Sequence, residues 1–132
     1  MKKTLLVALC GLGALWNQLA QADETVLAGD AERGRQLFGA CRTCHYPESY
    51  VGNHNGPSLH AIFGREAGTR EGFEYYSAAL KNAQFVWTPA LLDAWMANPE
   101  EFLPGNEMVF VPPRTAQERA DLIEYLKGFG EP

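Results

Sequence analysis

Residues 41–45 read CRTCH, two thiols spaced by two residues and an imidazole directly after the second. Four chemistries use such a set. A thiol pair can cycle through a disulfide, a zinc ion can take thiolates and an imidazole, and one thiolate can act as a nucleophile. Two thiols can also add to the two vinyl groups of one porphyrin edge, which leaves the next imidazole beneath the iron. A closed zinc site needs four protein ligands, commonly from two separated pairs, and His54 and His60 do not form a second pair. A thioredoxin-like dithiol sits in a βαβ context, and no alternating run of strand length is present; FVW at 85–87 comes nearest. A lone nucleophile uses neither the second thiol nor the contiguous histidine. A chance motif forming a surface disulfide is the plain alternative. Covalent haem accounts for every element, with Cys41 and Cys44 as thioethers and His45 as the proximal ligand.

An iron held this way has a sixth position, for which Met96, Met108, His54 and His60 are the candidates. Met96 lies on the apolar stripe of a helical segment, where packing is the ordinary role of methionine. His60 follows GPSL in a loop, a setting typical of solvated histidines. Met108 sits in FLPGNEMVF, a loop shaped by Pro104 and Gly105 just beyond a helix. From there its thioether can reach the opposite haem face; its alternative is an apolar loop plug. A soft sulfur ligand favours ferrous iron and raises the reduction potential.

The elements that must position these groups are helical. In GDAERGRQLFGAC, Asp30 suits an N-cap, and Gly34 and Phe38 stand one turn apart. Glycine inside a helix costs about 1 kcal/mol against alanine, so Gly34 predicts a close backbone crossing. WTPALLDAWMANP starts at Thr88 and Pro89 and stops at Asn98-Pro99, with Leu91, Leu92, Trp95 and Met96 on one face. TAQERADLIEYLKGFG has a capping box in Thr115 and Glu118 and a stripe of Leu122, Tyr125, Leu126 and Phe129. A shorter helix is expected over about 76–81, and residues 45–75 read as ordered loop. The fold class is all-α, with few helices and long loops, and loops this long need something to wrap around.

At 132 residues and 46% hydrophobic content, the chain suits one small domain. A net charge of −5 excludes nucleic acid as partner, since phosphate binding needs clustered Lys and Arg. Residues 1–22 read as a signal peptide: Lys2 and Lys3, an apolar run from Leu5 to Trp16, and Ala20-Gln21-Ala22 as the cleavage site. The apolar run is too short and glycine-interrupted to span a membrane well, although a retained leader would act as an anchor. Cleavage leaves nine basic and sixteen acidic side chains, a net of −7, and Cys41 and Cys44 as the remaining cysteines. The expected compartment is the periplasm.

Several motifs in order resemble the class I c-type cytochromes, specifically the mitochondrial and bacterial cytochrome c2 group. GDAERGRQLFGACRTCH is similar to that family's first helix and haem site, and NGPSLHAIFGREAG to its GPxLHGxFGRxxG loop. FEYYSAALKN resembles its distal-side segment, VWTPALLDAWMANPEEFLPGNEM its Trp–helix–PGxxM stretch, and ERADLIEYLKG its last helix. The resemblance spans about residues 29–127 and makes 23–132 one cytochrome c domain around one covalently bound haem c. It implies His45 and Met108 as the axial pair and Pro57 as acceptor for the His45 Nδ1–H. It further implies that Tyr75 and Trp87 bond a buried haem propionate while Arg65 offsets its charge. The plain alternative for Tyr75 and Trp87 is core packing. Gly34 and Phe38 would cross Leu122 and Tyr125.

Trp95 stands where the family commonly has Tyr, and Ala79 where it often has Asn. Where the mitochondrial form rings its haem edge with lysines, this chain has Ala40, Glu100, Glu101 and Glu107, with Arg114 among the few basic residues there. The resemblance implies a monomeric electron carrier rather than an enzyme. Its partners would be redox proteins such as a cytochrome bc-type complex and a terminal oxidase or dehydrogenase, docking here through neutral or basic surfaces, and no catalytic residue is expected. Two other readings stay open: a haem protein whose Met108 dissociates for peroxide or small-gas chemistry, and a dedicated subunit of a periplasmic dehydrogenase.

Overall fold

The computed structural model describes residues 27–130, so the expected signal peptide lies outside the described residues. Helix α1 spans Ala31–Leu37 and tightens into a 3-10 segment, Phe38–Thr43; α2 is Ala78–Lys81, α3 Pro89–Ala97, α4 Pro99–Phe102 and α5 Ala116–Lys127. Among the described residues, strand pairing is limited to one antiparallel bridge between Glu66 and Val86. The Trp87 N–H donates to the Arg65 carbonyl at 2.8 Å and the Ala67 N–H to that of Phe85 at 2.9 Å, which fixes FVW beside the 64–67 turn. The all-α expectation stands.

The helix starts follow local chemistry. Side-chain oxygens of Asp30, Thr88 and Thr115 accept the N–H groups of Arg33, Leu91 and Glu118, and Glu118 completes the capping box. Asn98-Pro99 does more than stop α3. Asn98 turns extended and accepts the Glu101 N–H, while Pro99 takes the first position of α4, its fixed φ being ready for a helix. Helix α2 begins at Ala78, two residues later than expected, because Ser77 takes the N-cap and accepts the Leu80 N–H.

The frame is the crossing of α1 and α5. A Cβ on Gly34 would come within 2.0 Å of the Asp121 carbonyl oxygen and 2.8 Å of the Tyr125 Cβ, so glycine alone permits this approach. One turn on, the buried Phe38 ring lies 5.3 Å from that of Tyr125, and Leu122 is buried with it. The crossing is clasped by Asp121, which is only 2% exposed. Its carboxylate accepts from Arg33 Nε at 2.8 Å and Nη2 at 2.9 Å, the Asp30 N–H at 2.7 Å and Gln117 Nε2 at 2.9 Å. The rest of the core joins Ile62, Leu92, Met96, Ile123 and Leu126 to an aromatic group. In that group Phe85 and Trp87 meet edge to face at 4.9 Å and Trp87 and Trp95 at 5.8 Å, with Phe102 beside them.

Hydrogen bonds from Arg33 hold the Asp121 carboxyl well below the usual carboxylate range, against the opposing effect of burial. A group acidified by folding stabilises the fold above its unfolded pKa, about 3.9, and loses that contribution as pH falls towards its native value. Asp121→Asn should therefore melt lower than the parent at neutral pH, with the gap in Tm closing as pH falls below about 4. Melting curves against pH check this, and a gap independent of pH would remove Asp121 as the acid-sensitive clasp.

Candidate functional site

The 3-10 segment turns CRTCH inward. Both the Cys44 and His45 N–H groups donate to the Cys41 carbonyl, at 3.1 and 2.9 Å, so three reactive side chains leave one tight turn. Cys41 and Cys44 are half-buried free thiols. Burial pushes the Cys41 thiol up, with Cys44 adding to the shift.

His45 is 8% exposed, and its Nδ1 lies 2.7 Å from the Pro57 carbonyl oxygen. A carbonyl only accepts, so Nδ1 carries the proton and Nε2 keeps its lone pair. Burial lowers the pKa of His45 more than the Pro57 bond raises it, which keeps the ring neutral. The loop bearing Pro57 is tied to the motif, since the Gly56 N–H donates to the Cys44 carbonyl at 2.9 Å. Gly56 also lies flat against the ring: a Cβ there would stand 2.3 Å from His45 Cε1. Next along, the Ser58 N–H donates to Asn53 Oδ1 at 2.9 Å and its hydroxyl to the Tyr46 carbonyl at 3.3 Å.

Met108 is half-buried and packs against the core. Its N–H donates to Asn106 Oδ1 at 3.2 Å, while Asn106 Nδ2 donates to the carbonyls of Pro99 at 3.0 Å and Leu103 at 3.1 Å. One asparagine thus anchors the methionine loop on α4, and Gly105 supplies its turn with φ at +79°. Met96 is buried in the core from α3. His54 is exposed, with its ring edge-on to Tyr46 at 5.5 Å.

Trp87 is buried in the aromatic group. Arg65 is half-buried and bent back on its own loop, with Nη1 donating to the Ser58 carbonyl at 3.2 Å and Nη2 to that of His60. The expectation for Tyr75 needs correcting. Tyr75 is 85% exposed, so it cannot line a buried carboxylate site. The inward tyrosine is its neighbour Tyr76, whose hydroxyl accepts the Arg70 N–H at 3.3 Å. Burial pushes the Tyr76 phenol up, and the Arg70 N–H and the charges of Arg65 and Arg70 pull the other way. Adjacent side chains in extended backbone point to opposite sides, so a slip of one residue exchanges surface for interior. The same slip moves the position read at Ala79 onto Leu80, which packs against the core.

The residues fit a haem. A neutral imidazole follows two thiols in one turn, a thioether loop lies against the same core, and the Arg70 Nε is buried with no hydrogen-bond partner, a donor suited to an added carboxylate.

A family model described as cytochrome c matches residues 31–129. Among curated relatives, cytochrome c2 of Rhodomicrobium vannielii is 37% identical over 124 residues, covering 94% of this chain and 94% of its own. Cytochrome c of Chlamydomonas reinhardtii is 45% identical over 101 residues, 76% of this chain and 89% of its own. Among solved structures, cytochrome cH from Methylobacterium extorquens superposes with a TM-score of 0.69 at 36% identity, covering 76% of this chain and 99% of that one. The chain belongs to the cytochrome c family of electron carriers, which bind covalently attached haem c, and Cys41 and Cys44 stand at the family's attachment spacing. No helix of the described residues is long and apolar enough to cross a membrane.

Gly56→Ala should drive the imidazole off the Pro57 carbonyl and lower stability by ~1–3 kcal/mol, the usual result of overpacking. Denaturant unfolding of the haem-loaded protein measures it, and an unchanged midpoint would show that the ring does not rest on Gly56.

Proposed function

We propose that the chain is a periplasmic one-electron carrier, exported by residues 1–22, that shuttles between redox complexes of a respiratory or photosynthetic chain. The observation that carries this reading is the neutral, buried His45 ring fixed on the Pro57 carbonyl immediately after the thiol pair. When bound, the haem supplies an iron that gains and loses one electron between ferric and ferrous states. Cys41 and Cys44 would hold the porphyrin as thioethers, and His45 Nε2 and the Met108 sulfur would be the protein ligands to its iron. The Pro57 bond keeps the imidazole in one tautomer and orientation and raises its basicity. Trp87, Arg65 and Tyr76 would hold the haem carboxylates, with the inward Tyr76 in place of the exposed Tyr75. With both axial positions taken by protein side chains there is no place for a substrate, so no catalytic residue is assigned. A rigid frame of this kind limits the rearrangement that accompanies a change of charge.

Acid–acetone extraction and absorption spectra of the exported protein test this reading. Pigment should stay with the polypeptide, and the ferric form should show the methionine-sulfur charge-transfer band, which Met108→Ala abolishes. Pigment lost to solvent would end the haem c assignment, and a parent protein without the band would end the carrier reading.

Docking would use the face around Met108. There Val109 is 98% and Val111 85% exposed, beside the exposed carboxylates Glu100, Glu101 and Glu107. An apolar centre with an acidic rim suits a donor or acceptor, such as a bc-type complex or terminal oxidase, whose own rim is basic or neutral. Electron-transfer rates should fall with ionic strength when the partner's docking site is basic, and should not fall when it is acidic. A steep loss of rate with salt against an acidic-site oxidase would contradict this surface.

A further inference from the structure

Arg70 has no role in the site as first read, yet its surroundings are unusual. Its Nε is buried without a hydrogen-bond partner, a costly state for a charged donor. Its charge bears on Arg65: burial lowers the pKa of Arg65 most, and Arg70 comes next. Two half-buried guanidiniums therefore oppose each other's charge. Among the described residues, no carboxylate forms an ion pair with either one. The acidic residues nearest in sequence, Glu66, Glu71 and Glu74, are exposed. The chain around Arg70 is also built to hold this arrangement. The Arg70 N–H donates to the Tyr76 hydroxyl, the Arg70 carbonyl accepts the Phe73 N–H at 3.2 Å, and the Phe73 ring meets that of Tyr76 edge to face at 4.9 Å. Behind it, Gly68 has φ at +72° and presses so close to α2 that a Cβ would stand 2.2 Å from the Leu80 carbonyl oxygen.

We propose that Arg70 is a second cation of the haem-carboxylate site, acting with Arg65 and Tyr76 to hold an ionised propionate and to raise the reduction potential. This rests on the haem reading above and adds a residue to it. Arg65 already commits two of its five N–H donors, one on Nη1 and one on Nη2, to backbone carbonyls. Arg70 adds a second guanidinium beside Arg65, its Nε unpaired, and charge-assisted bonds from guanidinium to carboxylate are among the stronger ones available. Two cations and one carboxylate leave net positive charge near the iron. That disfavours the ferric state, which carries one more positive charge than the ferrous.

The test uses haem-loaded parent protein with R70Q, R70K and, as a surface control, R35Q, whose guanidinium pairs with Glu32 on the exposed side of α1. Each is read by redox titration, with covalent haem and the methionine-sulfur band checked first. R70Q should have a lower potential than the parent, R70K should recover most of the difference, and R35Q should match the parent. If R70Q matches the parent while haem and band are intact, Arg70 has no such role and the carrier reading stands. If the parent itself lacks covalent haem, both readings fall. Should R70Q not accumulate, infrared redox-difference spectra of parent and R70K with carboxylate-labelled haem decide the matter. An isotope-sensitive ionised carboxylate band that moves in R70K supports the proposal, and a band that R70K leaves unmoved overturns it.

Discussion

The bond between His45 Nδ1 and the Pro57 carbonyl is the constraint around which the rest is arranged. It joins the thiol turn to a loop twelve residues on, and it settles which ring nitrogen carries the proton. Burial makes the ring neutral, and Gly56 beneath it leaves room for one orientation only. A ligand fixed in tautomer, charge and angle before it meets a metal needs little adjustment when the metal changes oxidation state. The Met108 side is held less tightly. It depends on one asparagine bonding to the backbone of α4 and on a glycine turn, with exposed valines directly after it. The two faces of the site thus differ in stiffness.

Much of this was legible in the sequence because its causes are local. Caps at Asp30, Thr88 and Thr115 depend on a side chain and the N–H groups two or three residues on. Gly34 announced a crossing because a glycine inside a helix has a known cost, and the helix it meets had a clear apolar stripe. CRTCH carries its chemistry within five residues. What was not legible depends on tertiary placement. Tyr75 and Tyr76 are chemically identical neighbours, and only their direction separates them. Asn98 could be read as a stop but not as the start of α4, since the next helix has a single turn. Along the sequence Arg70 is one charge in the 45–75 loop. That its Nε is buried and unpaired is a matter of tertiary placement, and no pattern along the chain encodes that.

Trp95 shows how a departure from a family pattern can be absorbed. Its indole joins Trp87 and Phe102 in edge-to-face contacts and lies in the core with Met96. Such contacts favour a fixed geometry beyond simple burial. The side of the site built from α3 and α4 is therefore shaped mainly by aromatic packing, whereas the Arg65 side is shaped by charge and backbone carbonyls.

The clasp at Asp121 ties together residues 88 to 91 positions apart, the start of the described chain and its last helix. Closing so long a loop costs about 4 kcal/mol in chain entropy, a term that grows only with the logarithm of length. The ring around the site is accordingly shut by α5, the last helix of the described residues. Without α5, α1 has nothing to cross, and the thiol turn that follows α1 loses the element that anchors it.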